Sequence, residues 1–251
     1  MFKLNECIDE IRNALNLKGY IVLKNFVPTK DIEAMKNHWL SQITKSKKSS
    51  EFMRGEIFFG QKNTLTYENS KELCLYRNFE FLWNKADSEI TRRYCIEIHK
   101  LRNLIAGVSE NDGLIIHDDK YGIYISTSLY ESEKGVFFKH RDGHPGRQIL
   151  HFMMPLTFKG IDYAEGGLYL TNSSGEVDVD ALCVPGDLIL FDGSFEHEVK
   201  LIKGGSTGRL AVFAVPTHFI DGLGLKFYQH NFNKNFRKII KKMINLFKNE
   251  K

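Results

Sequence analysis

The chain has 251 residues, of which 42% are hydrophobic and 26% charged, and its formal net charge is +4. This composition favours a globular protein with a sizeable core and excludes a disordered chain. The charge is uneven, because residues 226–251 carry +7 and residues 1–225 carry −3. The body therefore lacks a basic surplus, and we expect no nucleic-acid partner. The four cysteines are scattered without a Cys-x-x-Cys pair, which argues against a disulfide framework or a cysteine zinc site.

Residues 1–112 are predicted to be mainly helical. A first helix ends at Gly19, a strand follows over residues 20–26, and a second helix begins after Pro28. Residues 41–55 are rich in Ser and Lys and predict a surface loop, and a third helical region is predicted between Lys71 and Gly107. Apolar residues at helical spacing support the three helices: Leu4, Ile8, Ile11 and Leu15; Ile32, Met35 and Trp39; Ile90, Tyr94, Ile98 and Leu101.

Beyond residue 113 the pattern changes to short β-branched and aromatic runs that are separated by turn residues. Strands at this spacing are typical of a sandwich or jelly roll, so residues 113–218 are predicted to form a jelly-roll core. The predicted runs are 114–116, 121–129, 136–140, 148–158, 167–170, 187–191 and 209–216.

Residues 222–251 return to a helical pattern with an apolar stripe among lysines. Packing of this stripe on the protein or on a second subunit is the favoured interpretation, and contact with a membrane surface is the alternative. The chain is therefore predicted to be one α+β domain over residues 1–251, mainly β at its core, with N-terminal helices and a C-terminal amphipathic helix. The oligomeric state stays open. No secretory profile and no membrane-spanning run occur, so we expect a cytoplasmic protein.

Metal-ligand residues are the most informative feature of the core. His140 and Asp142 form a His-x-Asp pair at the end of a predicted strand, where residues two apart share one face. His197 lies downstream in a second extended segment. Two imidazoles and one carboxylate are the facial ligand set of non-haem Fe(II) oxygenases.

A lone His-x-Asp pair is weak support, because a second one occurs at His117 and Asp119. The order of the later motifs favours His140. It is followed by a buried strand, the turn Glu165-Gly166-Gly167, the turn Pro185-Gly186-Asp187, His197 and then Arg209. Arg209 opens an apolar strand, where it is either an edge residue with a solvated head or a bidentate partner for a carboxylate.

As an ordered set, these residues together with Gly19-Tyr20-Ile21-Val22-Leu23 resemble the Fe(II)/2-oxoglutarate-dependent dioxygenases, and most of all their phytanoyl-CoA dioxygenase-like branch. The resemblance covers roughly residues 19–218 and implies a double-stranded β-helix. It implies Fe(II) bound by the catalytic residues His140, Asp142 and His197, with Arg209 binding the distal carboxylate of 2-oxoglutarate. The other end of this cosubstrate is assigned to no motif, and Tyr124, Ser126 and Thr127 are the candidates. Val199 stands where many relatives have serine.

The resemblance further implies consumption of O2 and 2-oxoglutarate, release of succinate and CO2, and hydroxylation of a small molecule. His144 and Arg147, in the loop after the ligands, are candidate substrate residues that would favour an anionic molecule, although a plain turn is the simpler interpretation. His151 is interpreted as a hydrogen-bonded core histidine. Two alternatives are a cupin-like metal-binding isomerase or epimerase, which usually has His-x-His, and a non-catalytic barrel that binds a ligand.

Overall fold

A computed structural model describes residues 7–45, 48–49, 64–69, 74–82, 88–107, 109–111, 124–142 and 150–215. Within these ranges there are three α-helices, α1 (Ile8–Lys18), α2 (Thr29–Lys45) and α3 (Glu89–Ala106), and one short 3-10 helix, Asp180–Leu182. Helix α1 ends at Gly19, whose φ of 79° is in the left-handed region that glycine adopts at helix ends. The Ser88 hydroxyl caps α3 by accepting a 3.2 Å hydrogen bond from the Thr91 backbone N–H. None of these helices has the length and apolar character needed to cross a bilayer.

Two largely antiparallel sheets form the core. The larger sheet has the strand order β1-β10-β7-β12-β5-β4-β3-β2, and the smaller has the order β6-β11-β8-β9. The twelve strands are β1 (Tyr20–Leu23), β2 (Lys48–Ser49), β3 (Thr64–Asn69), β4 (Cys74–Leu82), β5 (Tyr124–Tyr130), β6 (Phe137–His140), β7 (Leu150–Pro155), β8 (Glu165–Asn172), β9 (Gly175–Asp178), β10 (Leu188–Asp192), β11 (Glu196–Lys203) and β12 (Arg209–Val215).

Alternation along the strands of the larger sheet divides the core into two layers. Side chains such as Phe152 and Val212 pack outward against the helices, where Trp39 is fully buried. Their strand neighbours, such as Met153, face the opposite way and pack against Leu168 of the smaller sheet. The space between the sheets is the inside of the jelly roll, and every candidate ligand borders it from a strand or a strand end.

The prediction of a third helical region between Lys71 and Gly107 is wrong over part of that range. Residues 74–82 form strand β4, which pairs with β5 and so extends the larger sheet. Strand β3 continues that extension by pairing with β4. The sequence 79–81, Phe-Glu-Phe, alternates with a period of two, which favours a strand once a partner edge is available. The predicted loop over 41–55 is contradicted at residues 41–45, where α2 continues to Lys45, and at residues 48–49, which form β2.

The core strands largely confirm the predicted runs. Strands β5, β6, β7, β8, β10 and β12 each overlap one of them. Strand β9 was not predicted, because Gly175-Glu176-Val177-Asp178 is polar and half exposed. The predicted run 114–116 and the C-terminal helix over 222–251 lie outside the described residues.

Candidate metal centre

Three candidate ligands meet at one end of the smaller sheet. His140 is the last residue of β6, and Asp142 follows two residues later. His197 is the second residue of β11 and stands directly opposite His140 in the strand register. One donor atom from each of His140, Asp142 and His197 can be chosen so that all three lie within 4.8 Å of one another. The structure therefore brings the predicted triad together.

Backbone carbonyls fix the orientation of both imidazoles. Nδ1 of His140 lies 2.8 Å from the carbonyl oxygen of Phe138, and Nδ1 of His197 lies 2.9 Å from that of Phe195. A carbonyl can only accept, so each Nδ1 carries the proton and donates it. Each Nε2 is consequently left with a lone pair, which is the form in which imidazole binds metals.

These lone pairs converge on Asp142. The Nε2 atom of His140 is 3.7 Å from Oδ1 of Asp142, and Nε2 of His197 is 3.6 Å from Oδ2. A first-row ion with bonds of about 2.1 Å sets its donors about 3 Å apart on one face of an octahedron. These two distances, which run to different carboxylate oxygens, exceed that spacing by about 0.6–0.7 Å. The Asp142 side chain is 35% exposed, so the centre is open on one side.

Electrostatics keep His197 and Asp142 in their metal-binding forms. Burial lowers the pKa of His197 to about 4, so its imidazole is neutral at physiological pH. Burial raises the pKa of Asp142, but the hydrogen bond from His151 and the nearby imidazoles outweigh it. The pKa of this carboxyl therefore lies below its usual value. A neutral imidazole and an ionised carboxylate are what metal coordination needs.

His151 is the residue of this centre that sequence reasoning undervalued. The prediction of a buried, hydrogen-bonded histidine is confirmed, but its partner is the Asp142 carboxylate, with His151 Nε2 at 2.5 Å from Oδ2. The alternation of β7 could have placed His151 on the inner face. Only the tertiary structure shows that this position lies beside a ligand.

Arg209 is buried inside the barrel, where a carboxylate of the protein already binds it. Its Nε is 2.5 Å and its Nη2 is 3.0 Å from the two oxygens of Asp180. The Nη2 atom also contacts Sδ of Met153. Among the described residues Nη1 forms no hydrogen bond. Burial lowers the pKa of Arg209, but the charge of Asp180 outweighs this and raises it. Sequence reasoning did not identify Asp180.

The predicted turn Glu165-Gly166-Gly167 is instead the start of strand β8, and the ion pair explains why residue 167 is a glycine. Gly167 has a φ of 105°, and a Cβ added there would lie 2.5 Å from Oδ2 of Asp180. The backbone N–H of Leu168 donates to the same oxygen at 2.9 Å, and the hydroxyl of Tyr163 donates at 2.6 Å. A glycine is needed because the chain must approach the carboxylate this closely.

Two of the candidate residues for the other end of the cosubstrate, Ser126 and Thr127, lie on opposite faces of the larger sheet. Ser126 stands opposite Phe213, whose ring packs in the inner cluster, so Ser126 borders the barrel interior. Thr127 stands opposite Val212, which packs against the helices. Thr127 therefore lies on the outer face, and the structure does not place it beside the triad. Tyr124 is the first residue of β5. His117, His144 and Arg147 lie outside the described residues.

The charged residues that flank the ligands form ion pairs on the outer surface of the smaller sheet. Nζ of Lys139 lies 3.3 Å from a carboxylate oxygen of Glu176 and 3.5 Å from one each of Glu196 and Glu198. Arg141 is exposed and donates to the carbonyl of Ser194 at 3.1 Å. None of these groups joins the ligand set.

Comparison with solved structures identifies the fold. A prolyl-4-hydroxylase from Pseudomonas putida is 18% identical, with 85% of this chain and 98% of that chain covered and a TM-score of 0.56. A prolyl hydroxylase from Trichoplax adhaerens, solved with a hypoxia-inducible-factor peptide, is 15% identical, covering 88% and 92%, with a TM-score of 0.58. The non-heme alpha-ketoglutarate-dependent epimerase SnoN from nogalamycin biosynthesis is 13% identical, covering 86% and 83%, with a TM-score of 0.53.

This chain shares its jelly-roll fold with these solved enzymes. At such low identities the likeness concerns the fold alone, and the similar structures include hydroxylases and an epimerase. No protein-family model matches the sequence. No curated protein matches it either.

Proposed function

We propose that this protein is a non-haem Fe(II)- and 2-oxoglutarate-dependent dioxygenase that hydroxylates a small molecule. The observation that carries the proposal is the convergence of two Nε2 lone pairs and one carboxylate at the open end of an oxygenase-type jelly roll. Two histidines and one carboxylate leave three octahedral positions for other ligands, which is the arrangement that oxygen-activating iron needs. His140, Asp142 and His197 would hold this ion.

When bound, iron supplies the oxidation itself: substrate C–H, O2 and 2-oxoglutarate give the alcohol, succinate and CO2. The protein residues supply geometry and protection. The carbonyls of Phe138 and Phe195 hold the imidazoles in place, and the apolar inner cluster keeps water from the barrel interior. His197 is 7% exposed, so it would hold the ion from the buried side of the site.

Arg209 is the proposed partner for the distal carboxylate of 2-oxoglutarate. It lies on the inner face, and its Nε edge is held by Asp180. That leaves the Nη1 end of the guanidinium for a ligand carboxylate. Binding across both terminal nitrogens requires Met153 to move away from Nη2. Ser126 is the candidate of β5 that borders the same interior, and Tyr124 stays a candidate for the other end of the cosubstrate.

The substrate is proposed to be a small anionic molecule. This part rests on the sequence 143–147, Gly-His-Pro-Gly-Arg, in which His144 and Arg147 follow the metal ligands directly. A cation beside the oxidised carbon would hold a carboxylate or phosphate of the substrate. Assignment to the phytanoyl-CoA dioxygenase-like branch rests on the ordered motifs of the sequence and belongs to the same proposal.

The test is succinate formation from 2-oxoglutarate by the purified full chain under air, with and without added Fe(II). We expect iron-dependent succinate even without the primary substrate, because these reactions proceed partly uncoupled. His197→Ala should abolish it while leaving the thermal unfolding cooperative. His99→Gln, a buried histidine in α3, is the matched control and should keep the activity.

Iron binding without any succinate, across a panel of carboxylate and phosphate substrates, would favour the cupin-like isomerase or epimerase. Absence of metal binding as well would favour a barrel that only binds a ligand. Either outcome would overturn the proposed function.

A further inference from the structure

The imidazole of His151 contacts a metal ligand but has no place in the ligand set itself. Its Nε2 lies 2.5 Å from Oδ2 of Asp142, and because a carboxylate accepts, Nε2 must donate. The ring packs against two aromatic side chains, with centroids 4.8 Å from Phe191 and 5.0 Å from the stacked ring of Phe213. His151 is 3% exposed, so it cannot turn toward solvent instead.

Gly193 lies against both members of the His151–Asp142 contact. Its carbonyl accepts a 2.8 Å hydrogen bond from the backbone N–H of Asp142. A Cβ added at Gly193 would lie 2.4 Å from Nε2 of His151 and 2.9 Å from Oδ2 of Asp142. Gly193 is not among the glycines with positive φ, so alanine fits its backbone. The glycine is therefore needed for space at the His151–Asp142 contact rather than for its conformation.

We propose that His151 is a positioning residue for the metal centre, which holds the Asp142 carboxylate through Oδ2, and that Gly193 provides the space for this contact. The inference rests on the proposed function, because it assigns a role toward the metal. Asp142 lies two residues beyond the end of β6 and is partly exposed, so neither the strand ladder nor packing alone fixes its carboxylate. A donor from the rigid strand β7 restricts the rotation of that group. Outer-shell partners of metal ligands typically change metal affinity by about 10–100-fold.

The experiment measures Co(II) binding to metal-free full-length protein, by titration against a competing chelator and by the visible absorption of the bound ion. His151→Leu removes the donor, whereas His151→Gln keeps an N–H near the position of Nε2. We expect the Kd of His151→Leu to rise by about 10–100-fold with an altered absorption spectrum. His151→Gln should stay within about fivefold of the wild type.

Gly193→Ala is a second variant, in which residue 151 is still a histidine. We expect it to weaken Co(II) binding in the same direction as His151→Leu, because the methyl group pushes the imidazole from Asp142. Phe152→Leu, on the same strand but on the outer face, is the matched control. It should lower the unfolding temperature without changing the Kd or the spectrum.

The outcomes separate the two proposals. Wild-type binding with an unchanged Kd in both His151→Leu and Gly193→Ala would overturn the positioning role and leave the metal site standing. A loss in His151→Leu that His151→Gln does not rescue, with Gly193→Ala unaffected, would assign the effect to packing and also overturn it. Failure of the wild type to bind Co(II), Fe(II) or Mn(II) would overturn the proposed function and this inference together.

Discussion

Arg209 and Asp180 form a side-on ion pair inside the jelly roll, with distances of 2.5 and 3.0 Å between their nitrogen and oxygen atoms. Both side chains are almost completely buried, at 3% and 4% exposure. Burial raises the pKa of Asp180, but the charge and hydrogen bonds of Arg209 outweigh it and lower this pKa below the usual value. The residue expected to receive the cosubstrate is therefore held in place by an internal carboxylate.

The ion pair should dominate the stability effect of substitutions at these two positions. Arg209→Met should lower the free energy of unfolding by about 3–5 kcal/mol, because it leaves Asp180 buried without a counter-charge. The double variant Asp180→Leu with Arg209→Met should recover at least half of that loss. Urea denaturation of the metal-free proteins measures both values. Additive losses in the double variant would contradict a direct interaction.

Arg209→Lys should separate charge from geometry at the cosubstrate site. Lysine keeps the positive charge but cannot bridge both oxygens of Asp180 and also present a nitrogen to a ligand carboxylate. We expect the KM for 2-oxoglutarate to rise by at least about tenfold, as measured by succinate release. The Kd for Co(II) should stay unchanged and serves as the control. An unchanged KM would mean that another residue binds the distal carboxylate.

His197 should make the metal-free protein less stable in acid. Its folded-state pKa is about 4, against 6.5 for an unperturbed histidine, because burial disfavours the charged ring. Between these values the unfolded chain takes up a proton that the folded chain does not. The contribution is thus complete above pH 6.5 and is lost as the pH falls toward 4, to a total of about 3 kcal/mol at most.

Urea denaturation in the presence of a chelator, at pH 7.5 and at pH 4.5, checks this dependence. His197→Gln cannot titrate there, so its free energy of unfolding should fall less between the two pH values than that of the wild type. Parallel pH dependences of the two proteins would show that the neutral, buried state of His197 has been misassigned.

Arg147→Ala tests the anionic substrate. If Arg147 holds a carboxylate or phosphate of the substrate, its loss should raise the substrate KM and increase succinate formed per molecule of product. The reason is that a poorly held substrate leaves the oxidising centre to react without it. His144→Ala is the companion variant from the same loop. If Arg147→Ala keeps the normal substrate KM and the normal ratio of succinate to product, residues 143–147 do not bind the substrate and form only a turn.

Local patterns determined much of what the sequence could predict. Strand geometry predicted that His140 and Asp142 share one face, although β6 ends at His140 and Asp142 lies just beyond it. The turn residues marked where most core strands end. The ordered motifs then connected His197 and Arg209 to the same barrel. The strand runs could be predicted because alternation and turn chemistry depend on neighbours in the chain, whereas His197 and Arg209 were connected only through the resemblance to a known family.

The pairings between distant strands were decided only in the tertiary structure. Strand β4 forms because it can pair with the edge of β5, and β3 forms by pairing with β4. The part of the predicted helical region that becomes β4 is therefore extended instead. Thr127 lies on the outer face because of the register of β5 against β12, which no local pattern fixes. The contacts of Asp142 with His151, and of Arg209 with Asp180, each join residues of different elements. A sequence shows which side chains can bind a metal or a carboxylate. Their partners are set by long-range packing, because a charged group that is buried is stable only beside an opposite charge or a hydrogen-bond partner.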